Sequence, residues 1–302
     1  MHSISLGERV IDPGQLQEML SNFEELPTIP DILFQILKIL DDPDSGAADL
    51  AEVVRLDAPL TARILRLANS PYYSSRGDMA DIHRCIAVLG YRTIRQVAIC
   101  VSVATSVVTA AARAKGQLDY KELWQHSVAT GAIAKHLAEM VGHREPDEVF
   151  TAGLLHDLGK FILEIYSPES YGKVIRSRRE RNLTLLEMER EAYGFDHAVL
   201  GEAFGFSWRF PGILTRCMGH HHNQGQSSSR SNSQGHAVAL VALADFLAHT
   251  LFPAIGDLGY DPDAANLGDL CAGAGLTEAI VVPEYASMQD VVRKSTIYLD
   301  LR

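Results

Sequence analysis

The segment Leu155-His156-Asp157-Leu158-Gly159-Lys160 decides how the fold of this chain is interpreted, because it sets a histidine directly before an aspartate in an apolar stretch. The imidazole of His156 can give one nitrogen to a metal ion while the oxygens of Asp157 reach a second ion. Outward from this pair, the C-terminal half carries more side chains of metal-ligand type: His126, His197, His221, His222 and Asp245. Together they exceed what one tetrahedral ion needs, and they predict two ions that share the Asp157 carboxylate.

Two of these side chains are predicted to point inward from separate apolar helices. His126 shares a helical face with Leu137, and Asp245 shares one with Val241. A lone inward histidine is more often a hydrogen-bonded core residue than a metal ligand. A buried carboxylate, however, is costly unless it is paired or bound to a metal, and residues 235–259 contain no Lys or Arg. Metal coordination would satisfy both side chains at once.

Two further residues are candidates by helical spacing. Lys160 follows His156 by one helical turn, which suits it to hold a phosphate oxygen as a point charge; a surface lysine is the alternative. Glu122 precedes His126 by one turn and is a candidate ligand of an additional ion; a solvated glutamate is the alternative. Histidines that lack an apolar context or a neighbouring ligand are not predicted to bind metal: His136, His143, His236 and His249.

The composition limits the class of function. The chain has 302 residues, of which 47% are apolar, so it is large enough to bury a substantial core. Its net charge of −11 argues against non-specific nucleic-acid binding, which depends on many Lys and Arg contacts to phosphates. A small anionic substrate stays compatible with this charge, because bound metal ions supply positive charge of their own.

The sequence also carries expectations about location. We find no apolar run near the roughly 20 residues that cross a bilayer, and no membrane partner is expected. The first residues lack the charged-then-apolar order of a signal peptide. The four cysteines are far apart and are interpreted as reduced, buried thiols. A cytoplasmic protein is the resulting expectation.

Apolar residues at helical spacing predict an all-α fold along almost the entire chain. An opening helix is predicted over residues 16–23, and one continuous helix over about residues 147–165. Residues 279–283 are the one β-like run that we identify. Residues 223–234, rich in Ser, Gln and Asn, predict a surface loop, with a lid over the site as the alternative.

In order, the candidate ligands and Lys160 resemble the HD-type metal-dependent phosphohydrolase superfamily, and especially its HD-GYP branch. The N-terminal half resembles the HDOD signalling family. The segments that carry this second resemblance are Leu26-Pro27-Thr28-Ile29-Pro30, Asp41-Asp42-Pro43, Asp57-Ala58-Pro59-Leu60-Thr61, Leu67-Ala68-Asn69-Ser70, Ile86-Ala87-Val88-Leu89-Gly90, Leu123-Trp124-Gln125-His126-Ser127, Gly194-Phe195-Asp196-His197 and Trp208-Arg209-Phe210-Pro211.

This resemblance implies an N-terminal helical subdomain packed on an HD-like, metal-dependent phosphohydrolase-type helical bundle. We therefore expect a lead-in over residues 1–20, the HDOD subdomain over 21–115 and an HD-like metal-binding domain over 116–302. HDOD proteins commonly lose the HD ligands, whereas this chain keeps a nearly full set. It lacks the Gly-Tyr-Pro signature of HD-GYP proteins, since Asn223-Gln224-Gly225-Gln226 follows His221-His222.

The resemblance implies a bacterial signal-transduction or regulatory module that works through protein partners. Its metal site is expected to hold two divalent ions, with Fe favoured and Mn, Ni and Zn as alternatives. The alternative function is a metal-dependent phosphohydrolase or phosphodiesterase acting on a small nucleotide-type phosphoester, in which Asp157 bridges the ions and Lys160 stabilises developing charge. A redox or gas sensor built on an Fe pair is a third interpretation.

Overall fold

The computed structural model describes residues 31–42, 44–70, 79–114, 116–181, 183–222, 233–253 and 266–301. Within these ranges the chain forms helices joined by turns and contains no β-strand, which confirms the predicted all-α fold. The predicted opening helix over residues 16–23 and nearly all of the predicted loop over 223–234 lie outside the described residues.

The first part of the described chain forms six helices. In chain order they are α1 (Asp31–Asp41), α2 (Ala47–Leu56), α3 (Ala58–Ala68), α4 (Ile82–Leu89), α5 (Tyr91–Val103) and α6 (Thr109–Ala114), with the π-helical segment Ala104–Val108 between the last two. Aspartates begin two of them, because Asp57 accepts from Leu60 N and Asp81 accepts from Arg84 N. Buried apolar side chains at helical spacing then pack these helices against one another.

The C-terminal half forms a larger bundle. Its α-helices are α7 (Tyr120–Met140), α8 (Pro146–Leu155), α9 (Leu158–Tyr166), α10 (Pro168–Arg181), α11 (Leu185–Tyr193), α12 (His197–Ser207), α13 (Gly212–His220), α14 (Ser233–Leu251), α15 (Leu267–Gly273), α16 (Glu278–Val281) and α17 (Tyr285–Lys294). Short 3-10 segments cover Val282–Glu284 and Ser295–Leu301. Residues 279–283, whose composition is β-like, are therefore helical, since they lie in α16 and in the first 3-10 segment. Valine and isoleucine favour strands, but here the backbone N–H groups of Ile280 and Val281 donate to Thr277 O and begin a helical turn.

One continuous helical stretch meets the length and composition expected of a membrane span. It covers Tyr91–Ala114, and its most apolar window has a mean hydropathy of 1.7. The expectation that no apolar run reaches this length is therefore wrong. Of that window, 61% is buried inside the protein, as is common for the core helix of a globular fold.

Helices α7 and α8 approach each other closely because glycines line their contact. A Cβ on Gly153 would lie 2.9 Å from the Cα of Gly131, which is closer than real Cβ contacts. Glycine at both positions lets the two backbones approach this closely. The same contact brings His126 of α7 near His156, which follows the end of α8.

The continuous helix predicted over residues 147–165 is wrong, because the chain turns at His156 and Asp157 before α9 begins. Adjacent residues of a regular helix point about 100° apart, so an unbroken helix would not face both side chains to one site. The turn leaves both residues fully buried. A Cβ on Gly159 would overlap the backbone oxygen of His197, so glycine allows α9 to meet α12 just after the turn.

Glu164 of α9 packs under the linker between α6 and α7. Its Oε1 accepts from Leu118 N at 3.4 Å, and a Cβ on Gly116 would overlap that oxygen. Oε2 has no hydrogen-bond partner in the described chain, although the residue is buried. Burial raises the pKa of Glu164 to about 7. The linker thus packs on a buried carboxyl group. The predicted domain boundary between residues 115 and 116 stays a prediction.

We expect Glu164→Gln to stabilise the protein more at pH 8 than at pH 5. The pKa of Glu164 is about 7 in the folded chain, against an ordinary value of 4.5, so the wild type loses stability as the pH rises through that interval. The neutral amide has no such loss. Chemical denaturation should show a pH-dependent gain on the order of 1–3 kcal/mol.

The exposed Glu180 of α10 supplies the matched control, and Glu180→Gln should give no comparable gain. An equal effect of Glu164→Gln at both pH values would contradict the raised pKa.

Candidate metal centre

Asp157 lies at the centre of a cluster of imidazoles that come from several helices. The aspartate is fully buried, and its two oxygens face different neighbours. Oδ1 lies 3.4 Å from His197 Nε2 and 3.6 Å from His221 Nε2. Oδ2 lies 3.3 Å from His156 Nε2 and 3.9 Å from His126 Nε2. One carboxylate therefore stands between two sets of nitrogen atoms.

The first set consists of Asp157, His197, His221 and His222, whose ligand atoms all lie within 4.8 Å of one another. The Nε2 atoms of His197 and His222 are 2.9 Å apart. Two atoms bound to one ion at about 2.1 Å lie roughly 2.9–3.5 Å apart, depending on the coordination angle. The separations in this set are close to those that a single ion requires.

The second set lies on the other side of Asp157. It joins His126, His156 and Asp157, whose ligand atoms again lie within 4.8 Å of one another. Asp245 of α14 borders this set, with its Oδ1 2.9 Å from His126 Nε2 and 3.6 Å from His156 Nε2. The carboxylate of Asp245, which the sequence predicts to point inward from an apolar helix, thus lies within reach of the imidazoles of His126 and His156.

Hydrogen bonds at Nδ1 fix the orientation of three imidazoles. His156 Nδ1 donates to Gly153 O at 2.7 Å, and His221 Nδ1 donates to Cys217 O at 3.0 Å. Because a carbonyl oxygen only accepts, Nδ1 carries the proton in both rings and Nε2 faces Asp157. This is the arrangement found in metal-ligating histidines, which usually donate their second ring N–H to a fixed acceptor.

Glu189 plays the same part for His197. Its Oε2 accepts from His197 Nδ1 at 2.7 Å and from the His197 backbone N at 2.8 Å. Its Oε1 accepts from Tyr171 OH at 2.8 Å. The sequence interpretation missed Glu189. It follows the buried Leu185 by one turn, but unlike Asp245 it lies on a helix rich in charged residues, so the sequence carries little signal for it.

The charges around Asp157 stabilise one another. Burial opposes the ionisation of His156, but the carboxylates of Asp157 and Asp245 outweigh it and raise the pKa of His156 to about 10. Burial likewise opposes the ionisation of Asp157, while His156 and Lys160 hold its pKa well below its usual range. A metal ion that binds His156 Nε2 must therefore displace a proton.

Burial lowers the pKa of three further imidazoles, those of His126, His221 and His222. Burial and the neighbouring His249 lower the pKa of His126 to about 4. Burial and the nearby rings of His221 and His197 hold the pKa of His222 well below its usual range, and burial also lowers the pKa of His221. A neutral imidazole offers the free electron pair that metal coordination needs.

Several buried atoms of the cluster lack a hydrogen bond of acceptable geometry within the described chain. They are His126 Nδ1, His156 Nε2, Asp157 Oδ1, His221 Nε2 and Asp245 Oδ1. Buried polar atoms are rarely left without a partner in folded proteins. Imidazole nitrogens and carboxylate oxygens together suit a divalent cation of the first transition series. The residues present fit such an ion, and these buried groups suggest divalent metal binding.

The remaining predicted residues occupy distinct places. Lys160 is buried, and its Nζ donates to Asp157 Oδ2 at 2.7 Å. Glu122 is only partly buried and belongs to none of the ligand groups found among the described residues, so its role as a ligand stays a prediction. His249, not predicted as a ligand, forms a third group with His126 and Asp245. Its signal was the spacing of one turn from Asp245.

Comparison with known proteins identifies the family. The model of the HDOD domain matches residues 26–224. A crystal structure of an HDOD domain protein from Geobacter sulfurreducens is 27% identical, covers 95% of this chain and 97% of its own, and superposes with a TM-score of 0.74. A predicted phosphohydrolase from Shewanella amazonensis SB2B is 24% identical, covers 93% of this chain and 97% of its own, and has a TM-score of 0.71. The latter likeness concerns the fold alone.

An uncharacterized protein of Treponema pallidum (strain Nichols) is 25% identical over 203 residues, which are 66% of this chain and 38% of that protein. This chain therefore spans well under half of the length of that relative. Because the domain match extends over residues 26–224, more than half of the 302 residues, the chain belongs to the HDOD family.

Proposed function

We propose that this HDOD protein is a bacterial signal-transduction or regulatory module whose C-terminal bundle holds two divalent metal ions. The observation that carries the proposal is the fully buried Asp157 carboxylate, which stands between two converging sets of imidazole nitrogens. Family membership supports the regulatory role, and the retained ligands support the metal pair. Protein partners in signalling are part of the proposal.

In this proposal Asp157 would be shared by the two ions. His197, His221 and His222 would hold the first ion, on the Oδ1 side of Asp157, and His126, His156 and Asp245 would hold the second ion, on the Oδ2 side. When bound, such ions supply Lewis-acid charge and can lower the pKa of a bound water. The mixture of imidazole and carboxylate ligands favours Fe, with Mn, Ni and Zn as alternatives.

Lys160 connects metal loading to the state of the bundle. Its ammonium group donates to Asp157 Oδ2, the oxygen that the second ion requires. Lysine and the ion therefore compete for one oxygen, and loading the second position must move Lys160 or share the oxygen with it. A buried charge that shifts with metal occupancy gives the module two states, which a partner protein can distinguish.

A metal-dependent phosphohydrolase or phosphodiesterase is the alternative function. The observation that favours it is the burial of Lys160 beside the predicted bridging carboxylate, where an ammonium group could hold a phosphate oxygen. The natural substrate would then be a small nucleotide-type phosphoester.

We expect wild-type protein, purified without chelator or affinity tag, to contain about two equivalents of Fe or Mn, because the two ligand sets share Asp157. The double variant His156→Ala/Asp157→Ala should lose both equivalents in elemental analysis. His197→Ala, which leaves the Asp157–Lys160 pair intact, should lose the ion on the Oδ1 side. His136→Ala is the matched control, since His136 contacts Glu284 away from the site.

The metal pair would be refuted if the wild-type protein contained no metal as purified and also bound none when reconstituted under reducing conditions with Fe²⁺ or Mn²⁺.

Glu189→Gln should weaken the affinity of the first ion by about 10–100-fold, because the amide supports the His197 tautomer less strongly than a carboxylate does. Competition with a chromophoric chelator measures this change. Tyr171→Phe keeps the carboxylate and removes only the hydrogen bond that Glu189 Oε1 accepts from Tyr171 OH, so a smaller loss is expected. An unchanged affinity in Glu189→Gln would show that Glu189 does not act through His197.

The two functions differ in turnover. Fully metallated wild-type protein should show no hydrolysis of nucleotides, cyclic dinucleotides or aryl phosphoesters above the metal-free control. Robust hydrolysis that His156→Ala/Asp157→Ala abolishes, and that Lys160→Met reduces, would instead establish the enzyme.

A further inference from the structure

We infer that His249 is a ligand of the second ion, together with His126 and Asp245, and that it fills a coordination position which an active phosphohydrolase would leave open. The inference rests on the proposed metal pair and adds a residue to it. His249 was not among the residues that the sequence patterns predicted as ligands.

The spacing on α14 brings Asp245 and His249 to one face, because they are one helical turn apart. His249 Nε2 lies 3.5 Å from Asp245 Oδ1, and His126 Nε2 lies 2.9 Å from the same oxygen. Both separations fall in the range of roughly 2.9–3.5 Å expected for two ligand atoms on one ion. Two helices, α7 and α14, thus supply three donor groups that lie within 4.8 Å of one another.

The surroundings of this group favour a cation over a simple hydrogen-bonded pair. The rings of His126 and His249 lie 4.2 Å apart between centroids with an angle of 33°. The His249 side chain is only 9% exposed and that of Asp245 only 6%. Two imidazoles and a carboxylate that converge in a buried place are a donor set suited to a divalent ion of the first transition series, which would take the ring nitrogens and neutralise the carboxylate.

The consequence concerns the positions left for water at the second ion. His249 lies in one group with His126 and Asp245, so an ion held there would have one position fewer for water than the same ion without His249. Catalytic metal sites commonly keep positions open for water and substrate, whereas structural sites are closed by protein ligands. An additional protein ligand would hold the second ion more firmly in the bundle, in agreement with the proposed regulatory role.

The test is equilibrium dialysis of metal-free, full-length protein against Co²⁺, together with visible absorption of the bound ion. Wild-type protein should bind two equivalents. His249→Ala should keep one tight equivalent and weaken the second at least about tenfold, with a change in the cobalt spectrum. His236→Ala is the matched control, because His236 lies on the same helix and contacts Ala274 O outside the site.

Rescue separates coordination from a packing role. His249→Glu should recover the second equivalent, since a carboxylate can replace the imidazole as a ligand. This variant also keeps the measurement informative if His249→Ala fails to fold. His197→Ala should impair the first equivalent only. Two equivalents of unchanged affinity in His249→Ala, with one lost in His197→Ala, would overturn this inference and leave the metal pair intact. A wild type that binds no Co²⁺ would overturn both.

Discussion

The neutralisation of one buried carboxylate is the constraint on which the rest of the bundle depends. Asp157 is fully removed from water, and an isolated charge there would cost several kcal/mol or more. Lys160 and protonated His156 meet this cost when no metal is bound. The contributing helices must therefore approach closely, and glycines such as Gly131 and Gly153 provide the room. The close backbone contacts and the polar cluster thus both serve the neutralisation of the Asp157 carboxylate.

Much of this arrangement is predictable from the sequence, for a physical reason. Helical spacing fixes which side chains share a face, so inward positions for His126 and Asp245 follow from their apolar neighbours. Helix starts also follow from residue type, because aspartate is favoured at the first position of a helix, and Asp196 accepts from Val199 N at the start of α12. The ligand identities follow from chemistry, since a carboxylate without a basic partner needs a cation. What the structure adds is the distances.

Three features escaped the sequence patterns, and two of them did so because they depend on tertiary contacts or local backbone geometry. The turn at His156 and Asp157 interrupts a stretch whose apolar residues are compatible with one helix, and only the fit of Gly159 against α12 explains its place. Glu189 looks like an ordinary helical glutamate until His197 is seen beside it. His249 was excluded for want of a neighbouring ligand, although Asp245 is one turn away. Pairs of polar residues one turn apart on an apolar helix therefore merit the same scrutiny as adjacent ones.

The number of ligands, and not their identity alone, separates a regulatory site from a catalytic one. A full set of HD-type ligands is compatible with hydrolysis, because histidine and aspartate bind the same ions in either case. Hydrolysis also requires an exchangeable position for water and room for a phosphoester beside it. Here the side of Asp157 that faces α14 is crowded by Lys160, Asp245 and His249, which are all nearly buried. In the function proposed above, these crowded surroundings favour the holding of ions over the turnover of a substrate.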